Sequence, residues 1–444
     1  MSDRRLPQGW REAELGSVGA CFRGRGGTRA DEQADGLPCI RYGDLYTHHD
    51  CIVRSFCSAI SPTRAFAYTA LQSGDIVFAG SGETPEEIGR ATAYCDSSKA
   101  YAGGDTIIFR PGPGLVSRFV GYAVNSVAAN RYKSKMGQGS SVFHISSEHL
   151  SRLPLRFPSL PEEQHCVADV LQTVDEAIEQ TEALIAKTQQ IKAGLMHDLF
   201  TRGVTPNGQL RPAREEAPKL YKESPLGWIP KEWEVLELGE MLKRFGGYLQ
   251  TGPFGSQLHA HEYQSEGVPV VMPQDIDGGS IETHQIARIT ETRASELPRH
   301  RMRPGDIVIA RRGDLSRAAA ITGAEDGWVC GTGCFLLRLG QSKLLPEFAS
   351  YIYRQPFVQR QIEGRAVGTT MPSLNNSVMS ELWFPFCQKE EQRRVVDRLE
   401  AAGSQQRSLV GESSVLQQIK TGLMHDLLTG RVRVPVPELR EVAI

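Results

Sequence analysis

Apolar side chains recur in alternating four- and three-residue steps after Pro161: Val167, Leu171, Val174, Ile178, Thr181, Ile185, Thr188, Ile191, Leu195 and Leu199. The same steps return at Val395, Leu399, Ala402, Gln406, Leu409, Ser413, Leu416, Ile419, Leu423 and Leu427. Such steps draw one narrow stripe along an α-helix, so the spacing predicts two long helices with a coiled-coil seam. Thr181 and Thr188 weaken the first stripe where the second has Leu409 and Leu416. Gln406 and Ser413 weaken the second where the first has Ile178 and Ile185. Neither stripe is continuous alone, which predicts that the helices pair. A helix of roughly 38 residues extends about 57 Å. Ahead of each helix the pattern is shorter: apolar runs at 76–78, 105–109 and 334–339 read as strands, and 115–127 and 346–361 read as helical. Gly74-Asp75 and Gly305-Asp306 fit tight turns entering strands. The mixed order predicts an α+β fold rather than a doubly wound sheet.

The two halves are copies. IKAGLMHDLF at 191–200 returns as IKTGLMHDLL at 419–428, with eight of ten letters unchanged. LPQGWREAELGSV around Trp10 answers IPKEWEVLELGEM around Trp233, and SGDIVFAGSGE at 73–83 answers PGDIVIARRGD at 304–314. GLPCIRYGDL at 36–45 pairs with GVPVVMPQDI at 267–276, and the stretch 138–153 pairs with 367–382. Internal repetition over such distances fixes the architecture. The chain reads as a globular domain at 1–160, a helix at 161–202 and a Pro/Gly-rich linker at 203–228. A second globular domain follows at 229–388, then a second helix at 389–430 and a tail at 431–444 that runs back toward the N-terminus. Antiparallel helices would give the whole a pseudo-twofold axis.

Composition constrains less. The 444 residues are 40% hydrophobic and 23% charged, with a net charge of −2 that does not announce nucleic acid. No apolar stretch approaches the ~18–20 residues of a membrane span, and the first residues lack a secretory h-region. Nine scattered cysteines suit a reducing cytoplasm, bacterial or archaeal, better than a disulfide framework. A P-loop, a methyltransferase signature and a glycine-rich cofactor loop are all missing from the sequence, so no catalytic residues, cofactor or metal are assigned to the chain. His48-His49-Asp50-Cys51 and His259-x-His261-Glu262 resemble metal ligands locally, but each lacks a distant partner and is more often structural. Cys330 and Cys334 read as structural for the same reason.

Arginines cluster in loops. FRGRGGTR at 22–29 carries Arg23, Arg25, Thr28 and Arg29 among glycines, where backbone and guanidinium groups approach phosphates. Arg131, Lys133 and Lys135 precede the GQGSS loop that contains Ser140. The second copy has Arg299, Arg301 and Arg303, then Arg311, Arg312 and Arg317, then Arg354, Arg360 and Arg365. The guanidinium fork suits both phosphates and the guanine edge. One such cluster is usually a solvated face; several, in loops of two homologous domains, favour nucleic acid.

The PxxW openings, the GxPxxRxGD block, GDIVxxxxG, the Gly-Thr/Ser loop before an LPxxFPxLxEQ-like stretch, and helices ending in LMHDLLTGRV together resemble type I restriction-modification specificity subunits. The resemblance covers essentially the whole chain. It implies a non-catalytic, sequence-specific DNA-binding subunit with two target-recognition domains, each reading one half of a bipartite double-stranded target. It further implies two methyltransferase subunits docked on the helices and bringing S-adenosylmethionine. Motor-endonuclease subunits would add ATP- and Mg-dependent translocation and cleavage; no membrane is involved. Carried onto this sequence, DNA contacts fall on Arg23, Arg25, Thr28, Arg29, Arg41, Tyr42, Ser81, Arg131, Lys133, Lys135 and Ser140 in the first copy. In the second they fall on Gly255, Ser256, Gln274, Arg301, Arg311, Arg312, Arg360, Arg365 and Thr369. The docking face falls on Ile191, Leu195, Met196, His197 and Leu199, and on Ile419, Leu423, Met424, His425 and Leu427. Two other readings fit the residues: a module of a methylation-only complex, and a coiled-coil adaptor that binds no DNA.

Overall fold

The computed structural model describes residues 6–255, 257–365 and 373–436. The chain forms two units, Met1–Leu184 with Leu409–Ile444, and Ile185–Ser408. Each unit thus contains one globular part and one half of each long helix.

Both long helices start and stop for local reasons. The first, Pro161–Arg202, opens on proline, whose missing N–H would be unpaired there anyway, and carries Glu162 and Glu163 in its positive first turn. It ends at Gly203, which adopts the left-handed φ of 65°. The second, Lys389–Leu427, has Glu390 and Glu391 in its first turn, with Gly430 at φ 70° just beyond its end.

In the first unit a four-stranded antiparallel sheet runs in the order Gly19–Arg23, Thr106–Pro111, Ile76–Ala79, Ala91–Ala93. Strand side chains alternate between faces, and here both faces are covered. Ile76, Phe78, Ile107 and Phe109 join a core with Val167, Ala168 and Leu171 of the first helix and Leu427 and Leu428 at the end of the second. Val77, Ala79 and Ile108 face a smaller core with Ile40, Leu45 and Tyr94. Coverage on both sides explains the unbroken apolar run at 76–79. The second unit repeats the plan with Tyr248–Thr251, Cys334–Arg338, Asp306–Ala310 and Ala318–Ala320. There Ile307, Ile309, Phe335 and Leu337 pack with Leu199, Phe200, Val395 and Leu399, while Val308, Cys334 and Leu336 face the opposite side. Each unit also has a mixed second sheet with one parallel pairing, Cys39 beside Tyr101 and Val270 beside Val329. The α+β class therefore holds in both units.

Buried polar groups are repeated with the fold. Asp75 receives the Gln72 N–H and a two-pronged Arg110 guanidinium at 2.8 Å. Asp306 does the same with Arg303 N–H and Arg338. The preceding glycines, Gly74 and Gly305, turn at φ 100° and 94°, as the Gly-Asp pairs predict.

Two predicted features need correction. The helical stretches 115–127 and 346–361 are each two helices, Ser117–Ala123 with Val127–Met136, and Pro346–Tyr353 with Pro356–Glu363. Ser126 caps Ala129 N–H to start a new helix, and Pro356 cannot continue the old one. In the seam, Ile191 and Ile419 point outward, 58% and 45% exposed, while Lys192 and Lys420 turn inward. The long aliphatic stem of lysine lies along the seam and its ammonium reaches a polar partner. Lys420 pairs with Asp175 at 2.8 Å and with Asp50; Lys192 reaches Gln406 at 3.4 Å. These pairs, 175 with 420 and 192 with 406, show antiparallel helix segments within each unit.

Candidate nucleic-acid interface

The loops with candidate DNA contacts meet at one end of each four-stranded sheet. In the first unit Gly24 N–H donates to the Thr106 carbonyl at 2.8 Å, and Gly80 N–H to the Asp105 carbonyl at 2.7 Å. Ile145 N–H donates to the Gly80 carbonyl at 3.0 Å. These bonds gather loops 22–29, 79–84 and 137–145 around 103–106. A side chain on Gly26 would strike the backbone of Gly103 and Gly104, so the glycine-rich run is needed for the approach. The second unit uses the same three bonds: Gly252 to Cys334 at 2.8 Å, Arg311 to Gly333 at 2.7 Å, and Leu374 to Arg311 at 3.0 Å.

On this shared frame the exposed chemistry differs. In the first unit Arg23 is exposed and pairs loosely with Asp105 at 3.2 Å, while Arg25, Arg131 and Lys135 reach solvent without an ion pair among the described residues. Arg41 is largely covered, held by Glu32, with Nη2 buried and without a hydrogen-bond partner among the described residues. Tyr42, Thr28 and Ser140 are exposed. In the second, Arg312, Arg360, Arg365, Gln274 and Gly255 are exposed. Arg311 is half-buried; its Nε donates to the Leu374 carbonyl at 3.0 Å, and its guanidinium lies 5.8 Å from the Phe254 ring. The side chain of Arg29, and the residues Ser256 and Thr369, lie outside what the structure describes.

Three candidates are engaged inside the fold. Lys133 is fully buried, donating to the Gly89 carbonyl at 2.7 Å beneath Phe78, and burial pushes its ammonium down to about 7. Alternate helix faces explain why its neighbours Arg131 and Lys135 stay outside. Ser81 is buried with its hydroxyl 2.9 Å from His144 Nδ1. Arg301 is folded back on Glu291 and the Ala294 carbonyl, tying a short helix to the sheet.

Sequence reasoning missed Phe66 and Arg64. Phe66 is 82% exposed beside Arg64, whose Nε bonds Asp31 at 2.9 Å at the base of the 24–31 loop. Phe254 is exposed beside Arg311. Nothing in the local pattern separates such aromatics from core residues; only the fold does.

The ten predicted docking residues also divide. Leu195, Met196 and Leu199 pack on the second unit's core, and Leu423, Met424 and Leu427 on the first's. Ile191, His197, Ile419 and His425 are exposed. Much of the repeated IK-x-GLMHDL block is thus matched because each copy fits the same groove of a homologous domain.

Residues 230–414 match the family model described as type I restriction modification DNA specificity domain. The chain is 23% identical over 432 residues to a putative type I restriction enzyme MjaX specificity subunit of Methanocaldococcus jannaschii, covering 97% of this chain and 95% of that one. Over nearly its whole length the chain is thus similar to type I restriction enzyme specificity subunits, with the family-model match confined to residues 230–414. The MjaVIII specificity subunit of the same organism is also 23% identical, over 67% of this chain and 66% of its own length. Among solved structures, the type I restriction-modification S subunit from M. genitalium superposes with a TM-score of 0.59 at 16% identity, covering 96% of this chain and 97% of that one. The chain therefore shares the fold of that structure. Among its described residues no helix is long and apolar enough to cross a membrane.

Proposed function

We propose that the chain is the non-catalytic DNA-reading subunit of a type I complex, each domain reading one half of a bipartite duplex target. The observation that carries this reading is the shared loop frame at the sheet end, held by the same three backbone bonds in both units, with different residues exposed on it. Phosphate contact by exposed arginines sets register, and base-edge contact must differ between domains if the half-sites differ. Two methyltransferase subunits, which bring S-adenosylmethionine, dock around the exposed Ile191–His197 and Ile419–His425 faces of the helices. ATP and Mg belong to the motor-endonuclease subunits that would join a complete restriction complex.

The test is methylation-sensitive long-read sequencing of DNA from a host expressing the chain with its methyltransferase. A bipartite methylated motif is expected, and replacing residues 1–160 with those of a relative should change one half of it only. Methylation that shows no split motif, or a swap that changes both halves, would sink the reading. Cleavage in the same host separates a restriction complex from a methylation-only one.

A further inference from the structure

The fold gives His49, from the His48–Cys51 cluster, two partners just outside that cluster. Asp44, His49 and Cys57 each bring a ligand atom within 4.8 Å of the others. His49 is 3% exposed and its Nε2 has no hydrogen-bond partner among the described residues. Leaving a buried polar atom unpaired costs roughly 1–3 kcal/mol, so the geometry is one that a ligand would relieve. The ring is fixed edge-on between His48, with centroids 5.0 Å apart, and Phe56, at 6.3 Å. Asp44 is anchored as well: Oδ2 accepts the Arg41 N–H at 2.8 Å and Oδ1 accepts the Ser58 hydroxyl at 3.0 Å, which leaves lone pairs free on both oxygens. Cys57 is exposed, so its thiol can swing inward. The other histidine cluster has no such arrangement, because Glu262 caps the His259 N–H and pairs with Arg293 at 2.6 Å.

The second unit provides an internal control. Asp275 stands where Asp44 does and accepts the Met272 N–H at 2.8 Å in the same turn. Its chain then forms a hairpin, Ile276–Asp277 with Ser280–Ile281. At the offset of the Asp44–Asp275 pair Ser280 replaces His49, and by the strand pairings Ile286 replaces Cys57. Among the described residues of the first unit, 48–57 have no strand pairing beyond the bridge from Ile52 to Ala93. A bound ion would hold that segment as the hairpin holds its counterpart.

We propose that Asp44, His49 and Cys57 bind one zinc ion that pins the 44–57 segment, and with it the adjoining Arg41 and Tyr42, to the first domain. Thiolate with imidazole selects zinc over magnesium or calcium, which demand oxygen ligands. Ligand atoms around tetrahedral zinc stand roughly 3.5 Å apart, so closure requires a shift of about an ångström, within reach of the exposed Cys57. Water completes the tetrahedron on that open side. Binding converts the Cys57 thiol to thiolate and releases its proton to solvent, so affinity falls as pH falls.

The full chain is stripped of metal, then titrated with Zn²⁺ and with Co²⁺. One tightly held equivalent of zinc is expected, with a thiolate-to-cobalt charge-transfer band in the Co²⁺ form. Cys57→Ser should lose that band, His49→Ala should lose stoichiometric binding, and Cys21→Ser should keep both. Circular dichroism of metal-free Cys57→Ser against metal-free wild type checks folding, which an exposed Cys-to-Ser change leaves intact. A wild-type chain with no charge-transfer band at excess Co²⁺, or a band that survives Cys57→Ser, overturns the proposal. Metal stoichiometry reads this site independently of DNA binding.

Discussion

Lys133 shows how far a residue's type can mislead about its place. Its sequence neighbours Arg131 and Lys135 face solvent, while its own ammonium sits in the core, donating to the Gly89 carbonyl and to no carboxylate among the described residues. Burial depresses its folded-state pKa to about 7, well below the ~10.4 of an unfolded lysine. Between those values the unfolded chain binds the extra proton, so stability rises with pH across that window. The contribution is least favourable below about pH 7 and its penalty vanishes above the unfolded value. Lys133→Met removes the titration. Urea midpoints at pH 7 and pH 9 should therefore show the wild type gaining on the variant as pH rises, by up to about 1.4 kcal/mol per pH unit. A difference independent of pH would mean that the ammonium is not held neutral. No reading of 130–135 as a string could reveal this, because which face of a ten-residue helix meets the core is decided by the sheet it lies on.

At the scale of elements, the helix starts carry a second repeated device. Glu391 accepts the Trp233 indole at 3.1 Å, the Val204 N–H at 2.8 Å and Arg211 at 2.5 Å. Glu163 accepts Trp10 at 3.4 Å and Arg433 at 2.5 and 2.7 Å. Beside them, Gln164 and Gln392 each bond backbone groups of the preceding globular part. The Glu-Glu-Gln letters repeat in the sequence, yet acidic residues in a first helical turn already have a dipole explanation, so their role as clamps was not legible. The seam was legible because a 3.6-residue period is local; its inward lysines were not, since only packing shows where a long side chain lies. The clamps differ in exposure, 8% for the Arg211 side chain against 46% for Arg433. Glu391→Ala strips the buried Arg211 of its close two-oxygen partner, leaving only the longer pair with Glu232 at 3.5 Å, and should cost roughly 3 kcal/mol, whereas Glu163→Ala should cost roughly 1–2 because Arg433 regains water. Hydrogen exchange over 389–399 and 161–171 reads each locally, and equal losses would refute the ranking. The exposed faces yield a parallel test: Ile191→Asp should weaken methyltransferase docking at least about tenfold without lowering Tm. Leu195→Asp should instead lower Tm, because Leu195 packs on the core of its unit.

For the whole molecule, the partition of the chain is itself informative. Each long helix begins in one unit and ends in the other, with the division at 184/185 and 408/409. On either side of that division the helix stripe is poorest in apolar side chains: Thr181 and Ser413 are buried in the first unit, and Thr188 and Gln406 are half-buried in the second. Removing one heptad from each helix near that division, 181–187 and 409–415, shortens each helix by about 10 Å. That length corresponds to about three base pairs of duplex at 3.4 Å each. If helix length sets the separation at which two half-sites can be read together, methylome sequencing should show the same half-sites with a spacer shortened by about that amount. Unchanged half-sites with an unchanged spacer would eliminate the helices as the ruler, and would place the control of spacing in the recognition domains themselves.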